Sequence, residues 1–472
     1  MSTFGSINTA LSGLLAHRQA LDIIGHNITN TSTDGYSRRR VELSPMGTWS
    51  VPALYARPTV SGGGVGVDGV TRIRDEFLEM QALREHGSAA RLGTEAEMLT
   101  RIEQTVPEPS DVGMAAQLGD FFAAFDDVAN TPKDSAARIA LLQQASTVAS
   151  SLNRVSAEMT NTRKAAIAET ATLVSQVNSS AKAIAELNDA IAQATAAGLD
   201  PHDLSDERDK LVMGLSDLIG VQARAGENGT VDVTLGGTTL VRGNKAQQLQ
   251  LAETTPLTGA YAGTGLNKVE VQWAIDGYPA VVTEGRVAGL LNTANKHVPQ
   301  AMTELNSVAA SLVTTVNALH QTGQGLDTVN DVSLNFWDPA GMTAETIKIS
   351  TDIAGQPSRI AAASLGAGPL DATIAQKIAA LHTASGGPSD VYQAMIGRLA
   401  VETQATGRRS EIQGEVAAQS DDARLSVSGV NLDEELTNLI TTQRAYEASA
   451  RLLTTVDETL DTLINRTGLV GR

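Results

Sequence analysis

No cysteine occurs among the 472 residues, which removes disulfide frameworks, thiolate nucleophiles and cysteine metal sites together and leaves the redox compartment open. Aromatic residues make up only 3% of the chain, so large cores centred on Phe or Trp are not expected, and Ala, Leu, Val and Ile must do the packing. The seven histidines (17, 26, 86, 202, 297, 320 and 382) form no i, i+4 pair that would aim two imidazoles at one metal. Neither a Gly-x-Ser-x-Gly elbow nor a Gly-Lys-Ser/Thr phosphate loop is present. No stretch approaches the roughly 20 consecutive apolar residues of a membrane helix, and no basic segment precedes the first apolar residues as in a cleavable secretory signal. Positive charge is scarce: 35 Lys+Arg face 53 Asp+Glu, a net charge of −18, which argues against a duplex nucleic-acid binder. The expectation is a non-enzymatic protein with no catalytic or metal site, no cofactor, no nucleic-acid partner and no membrane insertion.

What the chain does have is helical periodicity, most clearly at its two ends. Ile7, Ala10, Leu14, Leu21, Ile24 and Ile28 recur at alternating spacings of three and four, broken at His17, over a helix expected at about 4–32. Leu432, Leu436, Leu439, Tyr446, Ala450, Leu453, Leu460 and Ile464 repeat the pattern over about 432–466. Asn431 is placed to cap this second helix, Glu434 stands in the capping-box position, and Asp433 adds negative charge to the positive end of the dipole. Both seams are long and poor in aromatics, so they are candidates for packing on each other and on other chains.

Between the ends, helices are expected over 74–106, 113–130 and an uninterrupted 133–197, the last about 100 Å long. Near Leu215 the pattern turns to β, with Asn228-Gly229 and Gly236-Gly237 as hairpin signals, and stays so to about Gly285. Helical spacing returns over 287–319, a mixed patch covers 326–365, and helices run from Asp371 onward. The fold class expected is mainly α with an inserted β domain: elongated, with paired terminal helices as a coiled-coil-like core, a long helical stalk and a small β-rich outer domain. The domains assign 1–35 with 430–472 to the core, 36–215, 286–325 and 366–429 to the stalk, and 216–285 with 326–365 to the outer region.

One motif misleads. Gly64-Val65-Gly66-Val67-Asp68-Gly69 matches the dinucleotide fingerprint, but it follows the loop-like Arg57 to Gly63 and leads into the alternating Val70-Thr71-Arg72-Ile73. A glycine-rich turn entering a β-ribbon is the better reading. A second motif, Asn27-Ile28-Thr29-Asn30-Thr31-Ser32-Thr33-Asp34-Gly35-Tyr36-Ser37-Arg38, closes the first helix. Gly35 suits the left-handed turn that ends a helix, and Tyr36 can anchor the chain beyond it. Asn27 and Asn30, three apart, suggest amides that fix register.

This stretch resembles the Asn-x-x-Asn-x-x-Thr-x-Gly-Tyr-x-Arg signature of the axial proteins of the bacterial flagellum. Gly63 to Arg72 looks like the glycine-rich segment these proteins carry next. Ser428 to Glu435 followed by Gln443 to Arg451 is similar to the hook-associated protein 1 family of hook-filament junction proteins, as are Asp206 to Val212, Gly289-Leu290-Leu291 and Val316 to His320. Gly25-His26 departs from the Ala-Asn of many relatives, and the short chain implies a reduced outer β region. The resemblance implies an assembly motif at Asn27, Asn30, Thr33, Gly35, Tyr36, Arg38, Gly64, Gly66 and Gly69. It also implies type III export and a flagellar location outside the cell, needed for filament assembly and motility. The implied partners are further copies of the chain, the hook protein, a second hook-associated junction protein, and an export chaperone on the C-terminal helix. A hook or distal-rod protein is the nearest alternative, and a secreted adhesin or enzyme with an acidic insert the alternative of another class.

Overall fold

The computed structural model describes residues 3–46, 63–327 and 331–466; Arg57 to Gly62 of the expected loop lie outside them. Helix α1 (Thr3–Thr29) leads to β1 (Arg39–Pro45), which pairs antiparallel with β2 (Val65–Arg72), Arg39 standing opposite Arg72. The residues after Gly64 thus form a strand of a ribbon and not the helix a dinucleotide site requires. Helix α2 (Glu76–Gln104) starts at Asp75, whose carboxylate accepts from the amides of Phe77 and Leu78 at 2.9 and 3.2 Å. Helices α3 (Met114–Asn130) and α4 (Ser135–Ala196) follow, and α4 runs unbroken for 62 residues, about 93 Å.

After α5 (His202–Ile219) comes the expected β material. Strands β3 (Gln222–Ala225), β4 (Val231–Leu235), β5 (Thr238–Arg242) and β6 (Lys245–Ala246) make one antiparallel sheet in that order, and β7 (Leu249–Pro256) pairs with β8 (Asn267–Trp273). Helix α6 (Gly285–Asn292) joins α7 (Val298–His320) through a π turn at Thr293–His297. The helical pattern expected here as continuous is interrupted because Pro299 has no N–H for the regular ladder. Two-residue strands β9 (Gly323–Gln324) and β10 (Ala363–Ser364) flank a largely irregular segment. Helices α8 (Thr373–Ala379), α9 (Pro388–Ser428) and α10 (Leu432–Asp461) complete the order.

The architecture agrees with the expected class: mainly helical, elongated, with a small β insert. Packing corrects two expectations. Phe121, Phe122, Phe125, Phe336 and Trp337 are all buried together, with Phe121 5.0–5.8 Å from each of the other four ring centroids. An aromatic core therefore exists, because composition counts aromatic residues but does not say where they gather. The two segments grouped as one outer region also part company. Residues 221–280 pack on the second half of α4, from Ala166 to Ala185, whereas 331–365 pack on its first half, from Leu141 to Met159, with α3 and α7. In the latter segment irregular backbone is tolerated because helix asparagines satisfy it. Asn317 Oδ1 accepts from the amides of Phe336 and Trp337 at 2.9 and 2.8 Å, and Asn153 donates to the Ala344 carbonyl at 2.7 Å. In the β insert, Asn188, Asn178 and Asn295 hold the strand backbones at Val231, Leu249 and Val269 in the same way.

Candidate functional site

The motif after α1 folds into a polar hub where five segments meet. Asn27, on the last turn of α1, is 1% exposed. Its amide nitrogen donates to the Arg39 carbonyl at 2.9 Å and to Glu435 Oε2 at 3.1 Å, and its oxygen accepts from the Tyr36 hydroxyl at 2.9 Å and the Arg39 amide at 3.0 Å. One side chain thereby ties α1 to β1 and to α10, with all its hydrogen-bonding capacity used. Burial raises the pKa of Tyr36, and the Arg39 guanidinium lies 4.9 Å over its ring. Arg38 donates to Glu435 at 2.8 Å and Glu434 at 2.7 Å through its side chain, and through its backbone to the carbonyl of Ser428 at the end of α9.

The remaining motif positions serve this hub less directly. Gly35, at φ +83, turns the chain beside Lys210, whose ammonium pairs with Asp34 at 2.7 Å and holds that carboxyl below its usual pKa. Gly64, at φ +99, lies so close to α1 that a Cβ would collide with the Ser12 hydroxyl, and that hydroxyl accepts the Val65 amide at 3.2 Å. Gly66 and Gly69 lie within β2. Asn30 does not join Asn27 as a second buried amide: it is half-exposed beyond the helix end, bonding locally to the His26 carbonyl and to the Thr33 hydroxyl. Asn431 caps α10 as expected, accepting from Asp433 and Glu434 amides at 3.0 and 3.4 Å. The expected reciprocal bond from Glu434 is replaced by its ion pair with Arg38, a charge-assisted bond that also ties α10 to the motif.

An Arg–Asp ladder missed at the sequence level joins the hub to the body. Arg39 bonds Asp203 and Asp206, Arg72 bonds Asp206 and Asp209 at 2.9 and 2.8 Å, and Arg74 pairs with Asp209 and Glu79. Burial opposes the charge on Arg39, but the two aspartates outweigh it and raise its pKa, while Arg39 lowers that of Asp203. The three aspartates stand three apart along α5, a spacing visible in the sequence. That Arg39 and Arg72 face them side by side follows only from the β1–β2 register.

Helices α1 and α10 lie antiparallel, with Gly13 packed on Ser449 and Asn27 on Glu435. The predicted seams divide between two faces. Of their members, Ala10 and Ile24 are buried; Ile7, Leu14, Leu21, Ile28, Leu439, Tyr446, Ala450, Leu453 and Leu460 are half-buried; and Ile464 is 73% exposed. Leu432 and Leu436, with Ile440, form a separate stripe about a quarter turn from the α1-facing side. These three, and Leu11 and Leu15 on α1, are between 44% and 55% exposed. Among the described residues, neither hydrophobic core contains any member of α1, β1, β2 or α10.

The two ends match families of flagellar proteins: residues 7–36 the flagella basal body rod protein family, and 422–466 the C-terminal family of the rod proteins FlgEFG. The chain is a structural protein of the flagellar axial assembly. Residues 99–336 match the helical domain of flagellar hook-associated protein FlgK. Flagellar hook-associated protein 1 of Bacillus subtilis is 30% identical over the whole of both chains, and that of Escherichia coli 26% identical over 97% of this chain and 99% of its own. A solved structure, the flagellar hook junction protein FlgK from Burkholderia pseudomallei, superposes with a TM-score of 0.63 over 75% of this chain and all of its own, at 17% identity. The chain belongs to the flagellar hook-associated protein 1 family. No helix among the described residues is long and apolar enough to cross a membrane.

Proposed function

We propose that this chain forms the junction between hook and filament, exported through the flagellum's own channel and required for the filament to assemble and for motility. The observation that carries this is the unspent apolar surface of the terminal helices: each spends one face on the other and leaves a second, Leu11–Leu15 or Leu432–Leu436–Ile440, uncovered. Neighbouring copies cover these faces in a head-to-tail array, and the hook protein and a second junction protein close its two ends. Before assembly an export chaperone covers α10. The motif centred on Asn27, Tyr36 and Arg38 sets the angle at which the helix pair leaves the body. Residues 1–35 with 430–472 serve as the assembling core, and the long helices as the stalk.

The test is Leu436→Asp in a strain lacking the native chain. The residue is exposed in the single chain, so the purified variant should keep its helicity and melting temperature. Electron microscopy should find hooks without filaments, and swarming should cease. Filaments of normal number would overturn the proposal.

A further inference from the structure

We infer that the groove between the start of α2 and strand β3 receives the Leu432–Leu436–Ile440 stripe of α10 from a second copy of the chain, an inference that rests on the assembly reading above. Two adjoining hollows of about 270 and 300 Å³ lie there and share Met80, Leu83, Ala223 and Arg224. Phe77 stands at their edge 64% exposed, whereas Phe121, Phe122, Phe125 and Phe336 are all buried. Strand β3 is at the edge of its sheet, so nothing in the sheet lies beyond it on this side.

The occupant follows from shape and charge. Leu432, Leu436 and Ile440 at i, i+4 and i+8 make the narrow apolar stripe that a groove accepts from a helix. Asp433, Glu447 and Arg444 flank the stripe, for a net charge of −1, and at the groove Arg84, Arg224 and Glu76 form no ion pair among the described residues, for a net charge of +1. Opposite charges around an apolar contact select partner and register. The other unspent face, Leu11–Leu15, is flanked by Arg18 and Asp22, one charge of each sign, and offers no such match. Within one chain α10 packs along α1, so the helix in the groove comes from another copy.

The absence of cysteine makes the test clean. The doubly substituted chain, Met80→Cys with Leu436→Cys, is assembled into flagella and oxidised mildly; a disulfide forms only where the two Cα atoms come within about 7 Å. Covalent oligomers should appear in isolated flagella, and neither single variant nor the dilute monomer should give them. An absence of oligomers in flagella that contain the variant, or capture of a different axial protein by Met80→Cys, would overturn the inference. Independently, Met80→Asp should lower incorporation into flagella at least tenfold with the monomer's melting temperature unchanged. Normal incorporation of Met80→Asp alongside failure of Leu436→Asp would sink the groove and leave the junction assignment standing.

Discussion

Asn27 concentrates more structure than any other side chain in the hub, because its one amide replaces water for two backbone groups of Arg39, the Tyr36 hydroxyl and the Glu435 carboxylate. Removing it leaves those groups short of a partner in a buried place, at a cost of about 1–3 kcal/mol. Asn27→Ala should therefore speed hydrogen exchange at the Arg39 amide by about tenfold or more, with the amides of α4 unaffected. Unchanged exchange at Arg39 would mean that the amide is redundant there. The motif's spacing singled out both Asn27 and Asn30, and nothing local distinguishes them. Their fates diverge because α1 ends at Thr29, which leaves Asn30 outside the helix and away from α10. His320 shows the same dependence on context: enclosed by Leu334 and Ala361 backbone at 2.7 and 2.9 Å, it is a satisfied core histidine whose pKa burial pushes down to about 4.

At the scale of elements, three long helices meet at His86 of α2. Its ring lies 3.1 Å from Asp217 of α5 and 2.8 Å from Asp421 of α9, and Arg424 lies 3.4 Å from the same Asp421. The hydrogen bond to Asp217, opposed by burial and helped by Asp421, raises the imidazole pKa to about 9. Because the folded value lies above the unfolded value of about 6.5, the imidazolium's contribution to stability is fully present below pH 6.5 and is lost as pH rises through 9. Melting temperature should fall between pH 6.5 and 9.5, and His86→Gln should flatten that fall. An equal fall in the variant would assign the pH dependence to other groups. The start of α10 was legible at this scale, since Asn431 is a recognisable cap, whereas the capping of α2 by Asp75 emerged only from the structure. The pairing of α2 with α9, more than 280 residues apart in the chain, was not legible either.

Over the whole molecule, the terminal helices and β-ribbon join the body through ion pairs and hydrogen bonds, while both hydrophobic cores lie in the body. Such a joint weakens with salt where its pairs reach solvent, as the Arg39–Asp203 pair does with the Asp203 side chain 89% exposed. Brief proteolysis of the monomer should yield a resistant fragment near residues 75–428, and trimming of both ends should quicken in 0.5 M salt. Protection of both ends in dilute monomer, at either ionic strength, would show that the terminal helices are held as firmly as the core.

Taken alone, the order of residues determined the helices, the cap of α10, the ribbon after Gly64 and the sticky character of both ends, because each depends on periodicity and on neighbours a few positions away. Only the tertiary structure decided that five scarce aromatic rings share one core, that the two non-helical segments sit on opposite halves of α4, and that Arg39 and Arg72 meet the aspartates of α5. These outcomes depend on residues far apart in the chain being brought within a few ångströms, and local pattern carries no record of which distant surfaces will meet.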